Sequence, residues 1–358
     1  MVIKNMKEHR FNYEWKLAET NFTKDKGKVF SCFSCGGGST MGYKLAGFDV
    51  IGCNEIDPLM MKSYIANHNP KYTYLEGIQT FKDKINFPPE LYDLDILDGS
   101  PPCSSFSMAG NREKDWGKEK KFREGQVEQT LDTLFFDFIE LANKLKPKVV
   151  VAENVTGLMM GNAKSYVREI YKQFENAGYY CQHWILDAST MGVPQRRKRV
   201  FFVCLRKDLA TPFLYFKDMF TEVPKLDLNF KEKPIPFSEF AKKYENEEDD
   251  KMTPSLLNEY DNIKEGETSE KYFQFARLDR NKVPSTLTTS QSKSAACQVH
   301  PYIKRYFNNK ELCLIGSYPL DYDFSMLKKP IYLIGMSVPP VMTANVATEI
   351  YNQWLNKL

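Results

Sequence analysis

The sequence predicts an α/β protein with a doubly wound, mostly parallel, Rossmann-like sheet and a second, smaller irregular domain. Between residues 28 and 206, short apolar segments alternate with segments whose apolar residues follow helical spacing. Such alternation is typical of βαβ units, whose sheet is covered by helices on both faces. From about residue 207 to 298 the alternation stops, and Pro, Lys, Glu and Asp become frequent. This change in composition predicts the second domain.

Local patterns predict the individual elements. Strands are expected at residues 29–33, 48–53, 91–97, 147–152, 182–186 and 200–205, where short runs are rich in Val, Ile, Leu and Phe. Helices are expected at residues 41–46, 58–67, 126–145, 166–176 and from 341 onward. Gly178 is a stop signal for the fourth helix. Pro101 and Pro102 end the third strand, because proline has no N–H for a sheet and restricts the residue before it.

Composition limits the class of protein. The 358 residues suit one large domain and a smaller one. No apolar run approaches the ~18–20 residues of a membrane span, and the first ten residues lack the apolar core of a secretory signal. We therefore expect an intracellular protein that does not bind a membrane. The net charge of +3 is too small to identify a polyanionic partner. Residues 1–27 are expected to form a flexible lead-in or a strap packed on the domain.

The cysteines do not predict a disulfide framework or a metal site. They lie at positions 32, 35, 53, 103, 181, 204, 297 and 313, without regular spacing, so free thiols are expected. Cys32 and Cys35 form a CxxC motif, but no second pair and no histidines at ligand spacing accompany it. A redox dithiol is an alternative, although the neighbouring glycines favour another role.

A glycine-rich turn at residues 33–38, Phe-Ser-Cys-Gly-Gly-Gly, links the first strand and helix. In a strand–turn–helix unit, backbone N–H groups approach a cofactor closely. Glu55 ends the second strand, where a carboxylate accepts hydrogen bonds from ribose hydroxyls. The pattern favours an adenosyl-type cofactor, including a dinucleotide, although the turn is not GxGxxG. A glycine turn without a ligand is the other interpretation.

Cys103 follows a predicted buried strand and two prolines, at the end of a strand where open α/β sheets place their chemistry. A thiol is a nucleophile only as the thiolate, so it needs a positive field or a proton acceptor beside it. The alternative is a buried, inert cysteine.

Taken together and in order, the motifs resemble those of the DNA (cytosine-5)-methyltransferase family. The segments that carry the resemblance are residues 33–38, 54–55, 101–107 (Pro-Pro-Cys-Ser-Ser-Phe-Ser), 133–136, 153–155 (Glu-Asn-Val), 192–199 (Gly-Val-Pro-Gln-Arg-Arg-Lys-Arg) and 335–339. They cover about Val29 to Arg206, and again about Arg277 to the C-terminal helix. A Pro-Cys dipeptide alone is common, but this succession of motifs is highly specific.

The resemblance implies the catalytic residues. Cys103 would be the nucleophile that adds to C6 of cytosine, and Glu153 the acid that hydrogen-bonds N3. Asn154 would order the turn around Glu153. Arg197 would lie near the cytosine carbonyl, and Arg199 would brace the site through a carboxylate. No residue is identified as the base that removes the C5 proton, and water is a candidate.

The resemblance also implies S-adenosylmethionine as cofactor, with no metal. The residues expected to bind it are Phe33, Ser34, Gly36, Gly37, Glu55, Ile56, Ile78, Pro101, Leu134, Ser337 and Val338. Three positions depart from the family pattern: Cys35 and Met336 stand where Gly and Asn are usual, and Gly77 stands where an acid would bind the adenine amino group. Glu76 is one residue away from that position.

The implied substrate is double-stranded DNA. The target atom is inaccessible inside a duplex, so the cytosine must be extruded, and the basic, glycine-containing segment 107–129 is expected to close over it. Residues 1–206 plus 311–358 would form the catalytic and cofactor-binding domain, and residues 207–310 the target-recognition domain. A monomer in the cytoplasm, associated with the nucleoid, is expected. A cognate restriction endonuclease is a candidate partner that would act separately.

Three alternatives remain open from the sequence. The same chemistry could act on tRNA, although a Cys-Phe-Thr signature of that branch is absent. A regulator could bind DNA without catalysis, which the presence of Cys103, Glu153 and Arg197 disfavours. A nicotinamide-linked oxidoreductase would share the sheet, but the missing GxGxxG motif disfavours it.

Overall fold

The structure of the chain is a computed structural model. It describes residues 9–102, 133–161, 163–219, 221–245, 252–272, 274–289, 297–327 and 329–358, together with the backbone of 119–120 and 129–130. Two compact units are present. The sheet unit comprises Phe22–Leu186, Lys198–Leu228 and Val346–Leu358, and the second unit comprises Met1–Asn21, Asp187–Arg197 and Asn229–Asn345. The functional division at residues 206/207 and 310/311 follows the motifs and stays a prediction.

Seven strands of the sheet unit form one sheet. The strands of the chain are β1 (Lys28–Cys32), β2 (Asp49–Glu55), β3 (Tyr72–Leu75), β4 (Ile96–Gly99), β5 (Glu119–Lys120), β6 (Gln129–Thr130), β7 (Val149–Val155), β8 (Tyr179–Asp187), β9 (Lys198–Arg206), β10 (Leu214–Phe216), β11 (Glu222–Pro224), β12 (Ala276–Arg277) and β13 (Gln298–Val299). The sheet order is β3-β2-β1-β4-β7-β9-β8. The pairs β2–β3, β1–β2, β1–β4 and β4–β7 are parallel, whereas β7–β9 is antiparallel. The predicted mostly parallel, doubly wound sheet is confirmed.

The order of the strands separates this sheet from a dinucleotide-binding one. The latter has the order 3-2-1-4-5-6, with every strand parallel. Here β9, the last of the seven sheet strands in sequence, lies between β7 and β8 and runs antiparallel to β7. After β8 the chain therefore does not continue to a parallel strand at the edge of the sheet. It returns and inserts β9 between β7 and β8.

Helices pack on the sheet within the sheet unit, and others lie in the second unit. They are α1 (Gly38–Leu45), α2 (Pro58–His68), α3 (Ile78–Asp83), α4 (Leu134–Leu145), α5 (Ala163–Asn176), α6 (Pro254–Asn262), α7 (Asn309–Ile315), α8 (Pro330–Met336) and α9 (Pro340–Gln353). The largest core cluster joins strand residues such as Phe30 and Val150 to Phe81 of α3, Phe138 of α4 and Phe174 of α5. Burial of these large side chains, each contributing about 1.5–3 kcal/mol, fixes the helices on the sheet.

Two predicted elements are wrong in their extent. The apolar residues Leu91 and Leu94 are buried, but residues Pro89–Tyr92 form a 3₁₀ turn and the strand begins only at Ile96. The apolar residues correctly predict that this segment is buried in the core. A run this short does not distinguish a strand from a turn that packs inward. The helix predicted for residues 126–145 begins at Leu134, since Gln129–Thr130 pairs with Glu119–Lys120 as a strand.

The N-terminal residues 9–20 form a strap on the second unit. The Trp15 Nε1–H donates to the Ser317 carbonyl at 3.0 Å. The backbone N–H groups of Leu17 and Ala18 donate to the Asp321 carboxylate at 2.6 and 2.9 Å. Of the two interpretations of residues 1–27, the packed strap is the one found for the described residues 9–20, whereas residues 1–8 lie outside the described part.

A single stretch among the described residues, Pro330–Lys357, is long and apolar enough to cross a membrane by length and composition. However, 83% of its apolar window is buried inside the protein. A buried core helix passes the same criterion, so the stretch is weak evidence for a membrane span.

Candidate active site

The candidate site lies at the carboxyl ends of the central strands of the sheet unit. The strand order reverses between β1 and β4, and open α/β sheets bind ligands at such a point. The Asn154 Nδ2–H, near the end of β7, donates to the Pro101 carbonyl just after β4 at 3.0 Å. Its Oδ1 accepts from the Val155 N–H at 2.8 Å. Asn154 thus holds the chain that leads towards Cys103, which itself lies outside the described residues.

Gly99 allows the end of β4 to pack closely against α4. A Cβ at this position would lie 2.6 Å from the Cε2 atom of Phe138, a fully buried ring. Only glycine fits without displacing that ring.

Glu153 and Arg199 form an ion pair at the same edge of the sheet. The antiparallel register pairs Val155 with Arg199 and Glu153 with Phe201, so the two charged residues are diagonal neighbours on one face. Arg199 Nε lies 3.0 Å from Glu153 Oε1, and the side chains are only 16% and 11% exposed. Burial lowers the pKa of Arg199 from its ordinary value, and the Glu153 carboxylate opposes this shift. Because the pair is shielded from water, it is screened less than a surface pair.

Arg197 belongs to the second unit and is 2% exposed. Its Nη1–H donates to the Leu287 carbonyl and its Nη2–H to the Gly335 carbonyl, both at 3.1 Å. These bonds tie the segment around Leu287 to the end of α8. A contact with a cytosine carbonyl stays a prediction for this guanidinium.

The glycine-rich turn is joined to the end of β2 through Glu55. The Cys35 N–H donates to Glu55 Oε2 at 2.7 Å, and the Asp57 N–H donates to Oε1 at 2.8 Å. Burial raises the pKa of Glu55, while these two backbone donors oppose the rise. Ser34 completes the turn, since its N–H donates to the Asn54 carbonyl and its carbonyl accepts from the Gly37 N–H. The carboxylate is therefore held in one orientation at the strand end.

Gly37 and His68 pack against each other behind this turn. Gly37 caps α1 with a left-handed backbone, φ +85°, and a Cβ there would lie 2.2 Å from His68 Nε2. The His68 Nε2–H donates to the Gly36 carbonyl at 3.1 Å. Burial lowers the pKa of His68 to about 3, with a further contribution from Lys44, so the imidazole is neutral near pH 7. This buried histidine was not predicted from the sequence, since only the folded chain brings it to the turn.

Apolar residues predicted to bind the cofactor share one core cluster. Ile78 and Leu134 are buried there, and half-buried Phe33, with φ +53°, packs on the cluster with its ring centroid 6.3 Å from that of Phe138. Ile56 is half-buried beside Glu55. Glu76, one residue before Gly77, forms an ion pair with Lys84 at 3.0 Å.

The remaining predicted cofactor residues lie in the second unit. Ser337 ends α8, where its hydroxyl donates to the Leu333 carbonyl at 2.8 Å and accepts from the Tyr318 hydroxyl at 2.5 Å. Val338 beside it is 5% exposed, whereas Met336, at the position usually held by Asn, is 44% exposed. The Ser337–Val338 turn is thus buried and held by hydrogen bonds of the Ser337 hydroxyl. Met336, the residue that differs from the family pattern, is exposed.

Asp98 is a buried carboxylate that the sequence did not assign. It accepts hydrogen bonds from the hydroxyls of Ser31, Ser39 and Tyr43 at 2.8, 2.7 and 3.1 Å, and so joins β4 to β1 and α1. Burial raises its pKa to about 6, although the three hydroxyls oppose the rise. An acid inside an otherwise apolar strand was the available signal, because such a group needs hydrogen-bond partners when buried.

No group of three His, Cys, Asp or Glu side chains suited to a metal ion occurs among the described residues. The described thiols, such as Cys32 and Cys53, are all free, and burial raises the pKa of both.

The chain is similar in sequence to known type II methyltransferases. The chain is 35% identical to the type II methyltransferase M.NgoPII of Neisseria gonorrhoeae over 191 residues, which span 53% of this chain and 51% of that protein. It is 27% identical to M.NgoFVII of the same organism, a match that covers 94% of this chain and 89% of the relative.

Solved structures share the fold. The S. pombe Dnmt2 methyltransferase superposes with a TM-score of 0.59 at 16% identity, covering 91% of this chain and 98% of that one. A prophage-encoded E. coli protein, assigned as a DNA modification methyltransferase, gives a TM-score of 0.64 at 21% identity, covering 91% and 99%. The family model of C-5 cytosine-specific DNA methylases matches residues 27–352. The chain therefore belongs to the C-5 cytosine-specific DNA methylase family.

Proposed function

We propose that this chain transfers a methyl group from S-adenosylmethionine to C5 of a cytosine in a specific short duplex DNA sequence. The cytosine is extruded into the site and is bound covalently through C6 to Cys103. The Glu153–Arg199 pair carries this proposal: a carboxylate braced at one oxygen, beside the segment that Asn154 holds after β4, supports an acid aimed at a ring nitrogen.

The chemistry needs a nucleophile and an acid because C5 of cytosine alone is too weak a nucleophile. The Cys103 thiolate adds to C6, forming the S–C6 bond, and the ring electrons shift to make C5 enamine-like. The protonated Glu153 carboxyl donates its O–H to N3, where negative charge develops. The C5 electron pair then attacks the methyl carbon, so that the C5–methyl bond forms as the methyl–sulfur bond breaks, and the sulfur leaves as a neutral thioether. A base, which we propose to be water, removes the C5 proton, and the S–C6 bond breaks to release the thiolate and restore the ring.

The Glu153 carboxylate is suited to this role by its surroundings. Among the described residues, Arg199 forms an ion pair with Oε1 of Glu153, and no ion pair involves Oε2. The guanidinium contacts one oxygen and orients the carboxyl, while the other oxygen is left to carry the proton that is donated to N3. Arg199 is thus proposed as a positioning residue, and Asn154 as the residue that orders the turn beside it.

The residues around the glycine turn fit an adenosyl group. Glu55 is 8% exposed and is held by two backbone N–H donors, so it presents fixed acceptor lone pairs at the strand end. We propose that it binds the ribose hydroxyls, with Phe33, Ile56, Ile78 and Leu134 around the adenosyl moiety. When bound, S-adenosylmethionine supplies a methyl group on a positively charged sulfur. Ser34, Gly36, Gly37, Pro101, Ser337 and Val338 are proposed to complete the pocket.

Segment 107–129 is proposed to close over the extruded base, but it lies mostly outside the described residues. The target-recognition domain is proposed at residues 207–310, and the rest of the chain is proposed to hold catalysis. We further propose a cytoplasmic, nucleoid-associated monomer. A cognate restriction endonuclease would act separately on the same sequence.

The test uses radiolabelled S-adenosylmethionine with duplex DNA and, in parallel, tRNA. We expect label in DNA only, and bisulfite sequencing of DNA from cells expressing the chain should give the target sequence. A duplex with 5-fluorocytosine at that target should trap a covalent adduct, because fluorine does not leave as a proton does. Cys103→Ser should abolish turnover and the adduct while retaining DNA and cofactor binding.

Cys181→Ser is the matched control, since Cys181 is a half-buried free thiol on β8. It should retain both turnover and the adduct. Label in tRNA alone would favour the RNA enzyme, and DNA binding without methylation would favour a regulator. Binding of NAD but not S-adenosylmethionine in calorimetry would favour an oxidoreductase. Absence of any adduct on the methylated sequence would refute the covalent mechanism.

A further inference from the structure

A polar pocket of about 630 Å³ lies within the second unit. It is lined by Arg196 and by residues between Gly266 and Gln298, including Thr268, Gln274 and Lys282. Three cationic side chains and one acidic side chain line it. A concave surface of this charge favours an anionic or strongly polar ligand.

Part of the lining is engaged in holding the pocket together. The Arg277 guanidinium donates to the carbonyls of Pro301 and Ile263 at 2.6 and 3.2 Å and lies over the Tyr260 ring at 4.5 Å. Gln298 Oε1 accepts from the Ser285 N–H at 2.9 Å. These side chains form the wall and are not positioned to meet a ligand.

Gln274 differs from the wall residues because its amide is exposed and has no polar partner in the part of the chain that the structure describes. Its backbone is left-handed, with φ +64°, which glutamine rarely adopts. The next residue, Phe275, is completely buried, and its carbonyl accepts from the Ser269 N–H at 2.7 Å. The turn is therefore fixed on its inner side, while the amide projects from it with both a donor and an acceptor available.

Arg196 presents a second available group at the pocket. Its backbone N–H donates to the Pro284 carbonyl at 2.8 Å, and its carbonyl accepts from the Thr286 hydroxyl at 2.8 Å. The backbone is thus fixed, while its guanidinium is exposed and lacks a partner among the described side chains. Lys282, paired with Asp279 at 3.2 Å, is 68% exposed.

We propose that Gln274 reads one base pair of the DNA target through its amide, and that Arg196 and Lys282 hold the adjacent phosphates. A glutamine amide that projects from a fixed backbone turn matches the paired donor and acceptor of adenine in the major groove. Exposed cations beside it supply the sequence-independent phosphate contacts that set register. This inference rests on the proposed function and names the residues that determine its specificity.

The test measures kcat/KM over a set of duplexes that carry each base-pair substitution in the methylated sequence. Gln274→Gly removes the amide and tolerates the left-handed backbone. It should reduce discrimination at one base pair by about tenfold and leave the other positions unchanged. Gln274→Glu should shift preference at that same base pair, because a carboxylate only accepts. Asn262→Ala, an exposed amide of α6 outside the pocket, is the control and should change no preference.

A second measurement follows DNA binding against salt concentration. Arg196→Ala and Lys282→Ala should each weaken binding to all sequences alike and reduce the slope of log affinity against log salt by about one. Lys304→Ala, an exposed cation of the same unit that does not line the pocket, should leave the slope unchanged.

The outcomes separate the two proposals. If the wild-type protein methylates DNA but Gln274→Gly keeps every base-pair preference, the inference is refuted and the proposed function stands. Equal slopes for Arg196→Ala and Lys304→Ala would likewise refute the phosphate contacts. A wild-type protein that transfers no methyl group to any duplex refutes the proposed function, and this inference with it.

Discussion

Gly37→Ala should destabilise the sheet unit strongly, because the added methyl group meets His68. The Cβ would lie 2.2 Å from Nε2 and 2.6 Å from Cδ2 of an imidazole that is 7% exposed. The left-handed backbone costs alanine about 1–2 kcal/mol. Displacing the imidazole also breaks its hydrogen bond to the Gly36 carbonyl, which costs about 1–3 kcal/mol when the group is left buried. The free energy of unfolding should fall by about 2–5 kcal/mol.

Gly161→Ala is the matched control for backbone strain. Gly161 also has a positive φ, +57°, but no heavy atom lies within 4 Å of its added Cβ. This substitution should cost only the left-handed penalty of about 1–2 kcal/mol. Urea unfolding followed by far-UV circular dichroism measures the free energy of unfolding of both variants. Calorimetry with S-adenosylmethionine measures whether the change at the glycine-rich turn weakens binding.

The double variant Gly37→Ala/His68→Ala isolates the collision. Removing the imidazole makes room for the methyl group, so the two changes should cost about 1–3 kcal/mol less together than the sum of the single changes. Additive costs, or a Gly37→Ala variant no less stable than Gly161→Ala, would refute the assignment of His68 as the residue that excludes a side chain at Gly37.

Three further predictions concern the strand ends. Arg199→Ala leaves Glu153 buried without its cation, and should lower the free energy of unfolding in urea by about 3–5 kcal/mol. Arg199→Lys should recover part of this loss. Equal stabilities of Arg199→Ala and the wild-type protein would contradict the role of the buried pair. Gly99→Ala should cost about 1–3 kcal/mol by overpacking, and Phe138→Leu in the same chain should reduce that cost, as measured by thermal and urea unfolding. For Asp98, the folded pKa of about 6 exceeds the ordinary 3.8, so its contribution to stability is present at low pH and is lost as pH rises through 6. Relative to Asp98→Asn, the wild-type protein should lose about 2.5 kcal/mol between pH 4 and 7, and a constant difference would refute the burial argument.

Several features of the site followed from sequence alone because they depend on neighbours in the chain. The glycine turn after β1, the carboxylate at the end of β2 and the Glu-Asn-Val end of β7 each lie in one strand–turn segment, where local patterning suffices. The boundaries of β4 and α4 were less predictable, since Leu91 is buried from a 3₁₀ turn and residues 129–130 form a strand.

What the sequence by itself determined is the class of sheet, the order of the motifs and hence the family, because these follow from periodicity and from residue types along the chain. Only the tertiary structure decided which groups meet. The Glu153–Arg199 pair arises from the antiparallel register of β7 and β9, and the His68 contact with the glycine turn joins residues 32 positions apart. Such contacts depend on distances between elements, which residue types and periodicity along a chain do not specify.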